Sequence, residues 1–341
     1  MNFRNKKILI VGSTESFTLD KMYFRAFERL GVNVDFLHTQ NTLQNSFDII
    51  IKKFLPVIHY FFIRKKLNLF FKKKKNNHFN LIIFFKGIYL KKNILSKLKE
   101  KNPKTIIINI FPDDPLNTKL NYISNKNFVK CLPIFDFSCI WSKKILKKLK
   151  KIVPSRKLIY LPFGYDEFLH KKVKTNKKYS NIINFIGSYD KKRFEILKNL
   201  FHQNILIAGS GWKGKFKNPK NIYNPFFGKK LCEAISSSNI SINLLRDQNE
   251  GSHNMKTFEI PAMNGLMLTK RSREQNYFFP ENKACLMFRD KKELKEKIEF
   301  ISKNKSKVKK IRNFAHIISK KNSYRIRAKY LLKKIFYQTT K

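Results

Sequence analysis

The chain has 341 residues, 42% of them hydrophobic, so it exceeds one ordinary core and is apolar enough to fill two domains of about 150 residues each. Its 73 Lys and Arg against 23 Asp and Glu give a formal charge of +50, which predicts salt-sensitive, nonspecific attraction to polyanions. A dedicated nucleic-acid module is excluded by the lack of zinc-finger spacing, an RNP-type aromatic motif or a basic leucine zipper.

The excess charge is mostly Lys, spread from end to end alongside abundant Asn, Ile and Phe. All have A/T-rich codons, so drifting base composition accounts for much of it. Cys131, Cys139, Cys232 and Cys285 show no C-x-x-C and no metal-ligand spacing, and read as buried thiols of a reducing compartment. The opening MNFRNKKILIVG has no signal-peptide apolar region, and no apolar run reaches the roughly 18 to 20 residues of a spanning helix. A cytoplasmic protein is expected, with peripheral contact at the inner face of the membrane left open.

Residues 7–12, KILIVG, predict an apolar strand, 18–30 a helix ending before Gly31, and 32–37 a second strand. This βαβ opening lacks G-x-G-x-x-G, so no nicotinamide or flavin cofactor is expected. The loop Ser13, Thr14, Glu15, Ser16 lies at the carboxyl end of the first strand, making Ser13 and Ser16 acceptor-side candidates. Residues 54–75, FLPVIHYFFIRKKLNLFFKKKK, interleave aromatics with basic residues; an interfacial membrane helix and a helix covering the sheet both fit. Strands at 81–85 and 105–111 flank a helical pattern at 90–99. The second runs into FPDDP, where Asp114 before Pro115 fits a helix cap followed by a first-position proline. Asp113, at the strand's end, is the candidate for acceptor binding or proton abstraction, with Asp114 beside it on the acceptor side. With no D-x-D and no nearby His, no metal is expected. Strands at 137–141 and 157–161 complete this half, and the Lys-rich stretch to 178 reads as a linker.

A second series begins with a strand at 182–187. Gly187 and Ser188 turn out of it, and Arg193 lies about one helical turn further on, spaced to clamp a diphosphate. A strand and glycine turn at 206–211 and a helix at 226–238 lead into ISINLL at 240–245. Residues 254–269, NMKTFEIPAMNGLMLT, then bring a cation, a carboxylate and a glycine stop together at the carboxyl side of that strand. Lys256 offers charge to a phosphate, while Glu259, acceptor-only when ionised, suits the paired hydroxyls of a sugar or ribose. Pro261 leaves two readings: a helix starting near Thr257 with the proline in its first turn, or one starting at Asn254 that kinks. An ordinary connection with Glu259 on a solvated face also remains open. Basic helical patterns follow at 290–303 and 308–341.

The blocks NFIGSYDKKRFEIL, IAGSGW, ISINLLR and NMKTFEIPAMNGLMLTKRSREQNYFF resemble the C-terminal half of the spore-maturation-protein (CgeB-like) glycosyltransferases. KILIVG, FPDDP and FDFSCIWSKK running into KLIYLPFG are similar to the N-terminal half, so the resemblance extends from about residue 7 to about residue 300. It implies an α/β protein of GT-B architecture, two Rossmann-like domains facing across a cleft. Residues 1–165 would be the acceptor side, 166–318 the donor side, and 319–341 a basic helix able to pack back on the first domain. It also implies that Glu259 takes the donor's ribose hydroxyls, Arg193 and Lys256 its diphosphate, and Gly187 and Ser188 a close backbone approach. Asn254 and Thr257 are further donor-contact candidates, and His253 is either another or a loop histidine with a structural or solvent partner. No metal and no cofactor are implied beyond the nucleotide-diphosphate sugar as co-substrate. The chain departs from the pattern in two places. Lys256 stands where Arg is expected, and Glu250 and Glu259 are separated by eight residues where many retaining relatives have seven between their glutamates. Glu250 and the stereochemistry therefore stay open.

The leading expectation is a metal-independent transferase acting on a hydroxyl of a glycan, lipid-linked saccharide or similar acceptor. Asp113 would be the base of an inverting reaction or an acceptor contact in a retaining one. The alternatives are a nonenzymatic polyanion-binding protein, for nucleic acid or anionic membrane, and an inactive transferase-like scaffold.

Overall fold

The computed structural model describes residues 3–13, 15–39, 56–73, 78–117, 122–180, 182–216 and 221–338. Thr14, residues 54–55 and 74–75 of the aromatic and basic stretch, and the last three residues of the C-terminal helical pattern lie outside these. The chain divides into two compact units, one formed by Met1–Pro162 with Arg327–Lys341 and the other by Phe163–Ile326.

The first unit runs β1 (Lys7–Gly12), α1 (Leu19–Glu28), β2 (Asn33–His38), α2 (Pro56–Lys73), β3 (Leu81–Phe85), α3 (Lys92–Lys101), β4 (Ile106–Phe111), α4 (Tyr122–Cys131), β5 (Phe137–Ile140), α5 (Lys143–Leu149) and β6 (Leu158–Tyr160). Its six strands are parallel in the order β2-β1-β3-β4-β5-β6. The central strands KILIVG, LIIFF and IIINIF are apolar without alternation because helices cover a parallel sheet on both faces. At the end of β1 the Asp20 carboxylate accepts from the Ser13 amide, and a Cβ on Gly12 would lie 2.1 Å from that carboxylate. Burial pushes the Asp20 carboxyl above its usual value, opposed by Thr18 and the backbone amides of Ser13 and Lys21.

The second unit continues with β7 (Ile183–Ile186), α6 (Lys191–Leu197), β8 (Ile205–Ala208), β9 (Ile222–Tyr223), α7 (Gly228–Ser237), β10 (Ile240–Asn243), α8 (Lys256–Ala262), β11 (Met267–Lys270), α9 (Arg273–Phe278), β12 (Leu286–Phe288), α10 (Lys291–Lys303) and α11 (Lys305–Ser319). The terminal helix α12 (Tyr324–Gln338) passes from this unit into the first at Arg327. The sheet order β12-β11-β10-β7-β8-β9 is all parallel, with two successive triplets running outward in opposite directions from β7 and β10. Its core includes Phe185, Leu197, Ile207, Trp212, Ile242, Leu268 and Phe288, all nearly inaccessible to solvent. All four cysteines are buried and unpaired.

The turns leaving β7 and β8 press together. The Gly187 amide donates to the Ala208 carbonyl, and the Gly187 carbonyl accepts from the Trp212 indole at 2.7 Å. A Cβ on Gly209 would lie 2.0 Å from that same carbonyl oxygen, a backbone atom that cannot yield without moving the strand end. Gly209→Ala should therefore cost about 3 kcal/mol, the upper end of what overpacking costs. Urea unfolding would check this, a change below about 0.5 kcal/mol showing that the turns separate freely.

Candidate functional site

The reversal of strand order between β7 and β10 opens a crevice at the carboxyl ends of the second unit's strands, the position at which open α/β sheets receive ligands. Four connections shape this edge, and each uses polar side chains to fix backbone.

After β7 comes the Gly187–Ser188 turn. Ser188 is partly exposed, its hydroxyl 3.1 Å from that of Ser210 in the neighbouring turn. Asp190 caps α6 by accepting from the Lys192 and Arg193 amides. This aims the Arg193 side chain inward, where its guanidinium donates to the Ser188 carbonyl at 3.0 Å and to the Leu244 carbonyl at 2.7 Å. It also packs over the Phe185 ring at 5.5 Å. Burial, aided by the nearby charge of Arg246, lowers its pKa to about 10. Arg193, expected from the sequence to clamp a diphosphate, thus braces the exits of the two strands flanking the crevice. Next to it, Lys192 and Asp247 form an exposed pair at 2.7 Å.

The β10–β11 connection holds most of the other candidates. Asn254 and Thr257 form a reciprocal cap: the Thr257 amide donates to Asn254 Oδ1 at 3.0 Å and the Asn254 amide to Thr257 Oγ1 at 3.3 Å. The cap precedes a helix that starts at Lys256, close to the first of the two sequence readings, but Pro261 lies inside α8 and not in its first turn as that reading had it. The proline removes only the amide that would reach the Thr257 carbonyl. At the other end, Gly265 donates to the Ile260 carbonyl and Asn264, at φ 58°, donates to the Pro261 carbonyl, a Schellman stop. His316 Nδ1 lies 3.1 Å from the Pro261 carbonyl, and Arg312 donates to the carbonyls of Asn264 and Ser236, so α11 pins this end. Beneath the cap, Asn243, Thr269 and Gln275 join Thr257 in a buried hydrogen-bonded cluster. Asn254 and Thr257 are thereby engaged in holding α8.

Glu259 is buried, correcting the solvated-face alternative. Its carboxylate meets the Lys256 ammonium at 2.5 Å, and His170 Nε2 lies 3.8 Å from its other oxygen. Burial would raise the Glu259 carboxyl, but the charge of Lys256 and the His170 ring oppose it and prevail, holding it below the usual 4.5. The Asp166 amide donates to His170 Nδ1 at 3.0 Å, which leaves the imidazole proton on Nε2, facing Glu259. His170 lies in the stretch read from sequence as linker; its spacing of four from Asp166 was the one available signal. Lys256 keeps a quarter of its side chain in solvent and is the accessible cation of the group.

Of the two readings of His253, the structure shows the partners of a structural one. Its ring is fully enclosed, edge-on to Phe163, Phe258 and Phe278. Nε2 accepts from the Phe163 amide at 3.2 Å, so Nδ1 carries the proton and donates to Glu274 at 2.8 Å. Both nitrogens are engaged within the protein, and the residue ties the start of the unit to α9.

In the first unit, Ser13, Lys86 and Asp113 follow β1, β3 and β4, neighbouring parallel strands. Asp113 is partly exposed and pairs with Lys86 at 2.8 Å. The Ser13 side chain is buried, and Ser16 is exposed with its carbonyl accepting from Arg25. Asp114 accepts from the Leu116 amide at 2.9 Å in a local turn, with no helix starting at Pro115. Among the described residues, no group of three His, Cys, Asp or Glu side chains is disposed to hold a metal ion.

Residues 191–333 match the glycosyl transferase-like family model. This glycosyl transferase-like region covers most of the second unit, including the Arg193 brace and the Lys256–Glu259 pair. The whole chain shares its fold with solved structures across low sequence identity. Sucrose-phosphate synthase from Thermosynechococcus elongatus matches with a TM-score of 0.73 and 10% identity, over 98% of this chain and 100% of that one. Anabaena HepE, solved in complex with UDP-glucose, matches with a TM-score of 0.66 and 8% identity, over 97% and 99%. TarM matches with a TM-score of 0.63 and 10% identity, over 97% and 98%. The fold is GT-B, built from two Rossmann-like units. No curated protein matches the chain in sequence.

Two outcomes follow from the site's electrostatics. Arg193→Lys keeps the charge but cannot reach two carbonyls as a fork, so chemical denaturation should show a loss of about 1–3 kcal/mol. Lys192→Ala, in the exposed pair beside it, should leave the midpoint unchanged. Because the folded Glu259 pKa is depressed, its contribution to stability is present above the unfolded value and lost as pH falls through the folded one. In urea titrations between about pH 6 and pH 3, Glu259→Gln should flatten that acid dependence. An unchanged slope would show that Lys256 does not control the carboxylate.

Proposed function

We propose that this chain is a GT-B glycosyltransferase, of CgeB-like kinship, that holds a nucleotide-diphosphate sugar in its second unit. It transfers the sugar to a hydroxyl of a glycan, lipid-linked saccharide or similar acceptor. The observation that carries the proposal is the buried Lys256–Glu259 pair in the β10–β11 connection, within the region matching glycosyl transferase-like proteins. An ionised, enclosed carboxylate accepts two hydroxyl hydrogens, as a ribose 2′,3′-diol offers, while the partly exposed ammonium beside it supplies the charge a diphosphate needs. Gly187 and Ser188 give the backbone approach, and Arg193 serves the phosphates by fixing the two loops that face them. The UDP-glucose bound by HepE supports a uridine donor for the shared fold.

In the first unit, Asp113 is the proposed base, or the acceptor contact in a retaining reaction. Its Lys86 partner, 2.8 Å away, holds the carboxylate in place at the end of the strand. Lys256 and the loop amides would carry the leaving diphosphate's charge without a metal, and no cofactor is needed for the transfer. The four unpaired, buried thiols support a cytoplasmic setting. Nonenzymatic polyanion binding is less well supported, because it leaves the enclosed carboxylate without a use.

Isothermal titration with UDP and other nucleoside diphosphates tests the donor site. The wild type should bind, and Glu259→Ala should weaken binding about 30-fold, the loss of hydrogen bonds to a charged acceptor. Glu259→Gln, which keeps the volume, should fall between them. Equal binding by wild type and both variants would overturn the assignment. Asp113→Asn should lower transfer by about 10²- to 10⁴-fold while leaving nucleotide affinity unchanged. Full turnover in that variant would remove Asp113 from the chemistry.

A further inference from the structure

We propose that the outward face of α2 docks on an anionic lipid surface, lying along it. One side of this helix is fixed to the protein: Ile63 and Leu67 are buried, and Arg64 donates to the Tyr89 carbonyl at 3.2 Å. On the other side, Ile58, Phe61, Phe62 and Leu69 remain 43%, 57%, 52% and 49% exposed. At about 100° per residue these four fall within a sector of roughly 100°, opposite Ile63 and Leu67. Lys65 and Lys72 lie inside the same sector and Lys66 and Lys73 at its edge, all exposed. The helix, PVIHYFFIRKKLNLFFKK, contains no acidic residue.

Two adjacent phenylalanine rings, in edge contact at 5.9 Å, are an unusual thing to leave in water. Their companions identify the partner. Protein interfaces are depleted of Lys at their centres, where burying an ammonium costs desolvation. A lipid surface instead accepts aromatic rings below the headgroups while lysine stems extend to meet the phosphates. Among the described residues no helix is long and apolar enough to cross a membrane, and α2 is held to the first unit through Ile63, Arg64 and Leu67, so the proposed contact is one of a helix lying flat.

The chain's overall charge of +50 attracts any anionic surface, so the test must separate the face from the charge. The full chain would be sedimented with vesicles of phosphatidylcholine alone and of phosphatidylcholine with phosphatidylglycerol, near physiological salt. The wild type should partition onto the anionic vesicles. Phe61→Ser with Phe62→Ser should weaken this about tenfold at unchanged net charge. Lys65→Gln with Lys72→Gln should weaken it about fivefold per lysine, whereas Lys150→Gln with Lys151→Gln, exposed residues elsewhere on the unit, should change it less than about twofold. In Phe61→Trp, the emission of residue 61 should shift to the blue on anionic vesicles and be quenched by brominated acyl chains. Circular dichroism checks that the variants are folded. Equal partitioning of the double Ser variant and the wild type, equal losses from the two lysine pairs, or a residue 61 unquenched by brominated chains would overturn the proposal.

Discussion

The Arg193 guanidinium is the contact on which the carboxyl edge of the second unit's sheet depends. The strand order reverses between β7 and β10, so the loops leaving those strands diverge, and no sheet hydrogen bonds hold their carbonyls. Arg193 takes one carbonyl from each, Ser188 and Leu244, which fixes the width of the crevice. The geometry needs a planar fork with donors on two sides, and a lysine cannot supply it. The surrounding glycines follow from the same constraint. Once the β7 exit is held, the β8 turn must pass against its backbone, and only a residue without Cβ fits at Gly209.

The β10–β11 connection repeats this logic in a different form. A short helix containing a proline has little stability of its own, and α8 is kept by its ends. The Asn254–Thr257 cap, seated on the buried amide cluster of Asn243 and Gln275, holds one end. The Schellman stop and the α11 side chains Arg312 and His316 hold the other. Glu259 projects from a support with little freedom to tilt.

Much of this fold was legible in the sequence because central parallel strands are written as uninterrupted apolar runs, as KILIVG and LIIFF are. Shorter elements were not: β9 and β12, with two and three residues, have no period to read. The prominence of Glu259 and Lys256 was legible from their types and spacing. The inward turn of Arg193 was not, since the carbonyl it holds lies 51 residues away. Nor was the enclosure of His253, whose partners Phe163 and Glu274 come from distant parts of the chain. Asn254 and Thr257 could be read equally well as ligand contacts or as a cap, because the same oxygens serve both.

The pairing of Lys256 with Glu259 sets the kind of equilibrium that would govern the proposed donor site. The enclosed carboxylate has its counter-charge one helical turn away, so the protein itself compensates the cost of burying it. Binding of the proposed donor there would be an exchange of partners. A ligand offering only negative charge would draw the ammonium away and strand the carboxylate, while one offering only hydroxyls would leave the ammonium where it is. In the proposed function, a molecule that carries phosphate and diol together would satisfy both ions in one event, and selectivity would reside in the joint presence of the two groups.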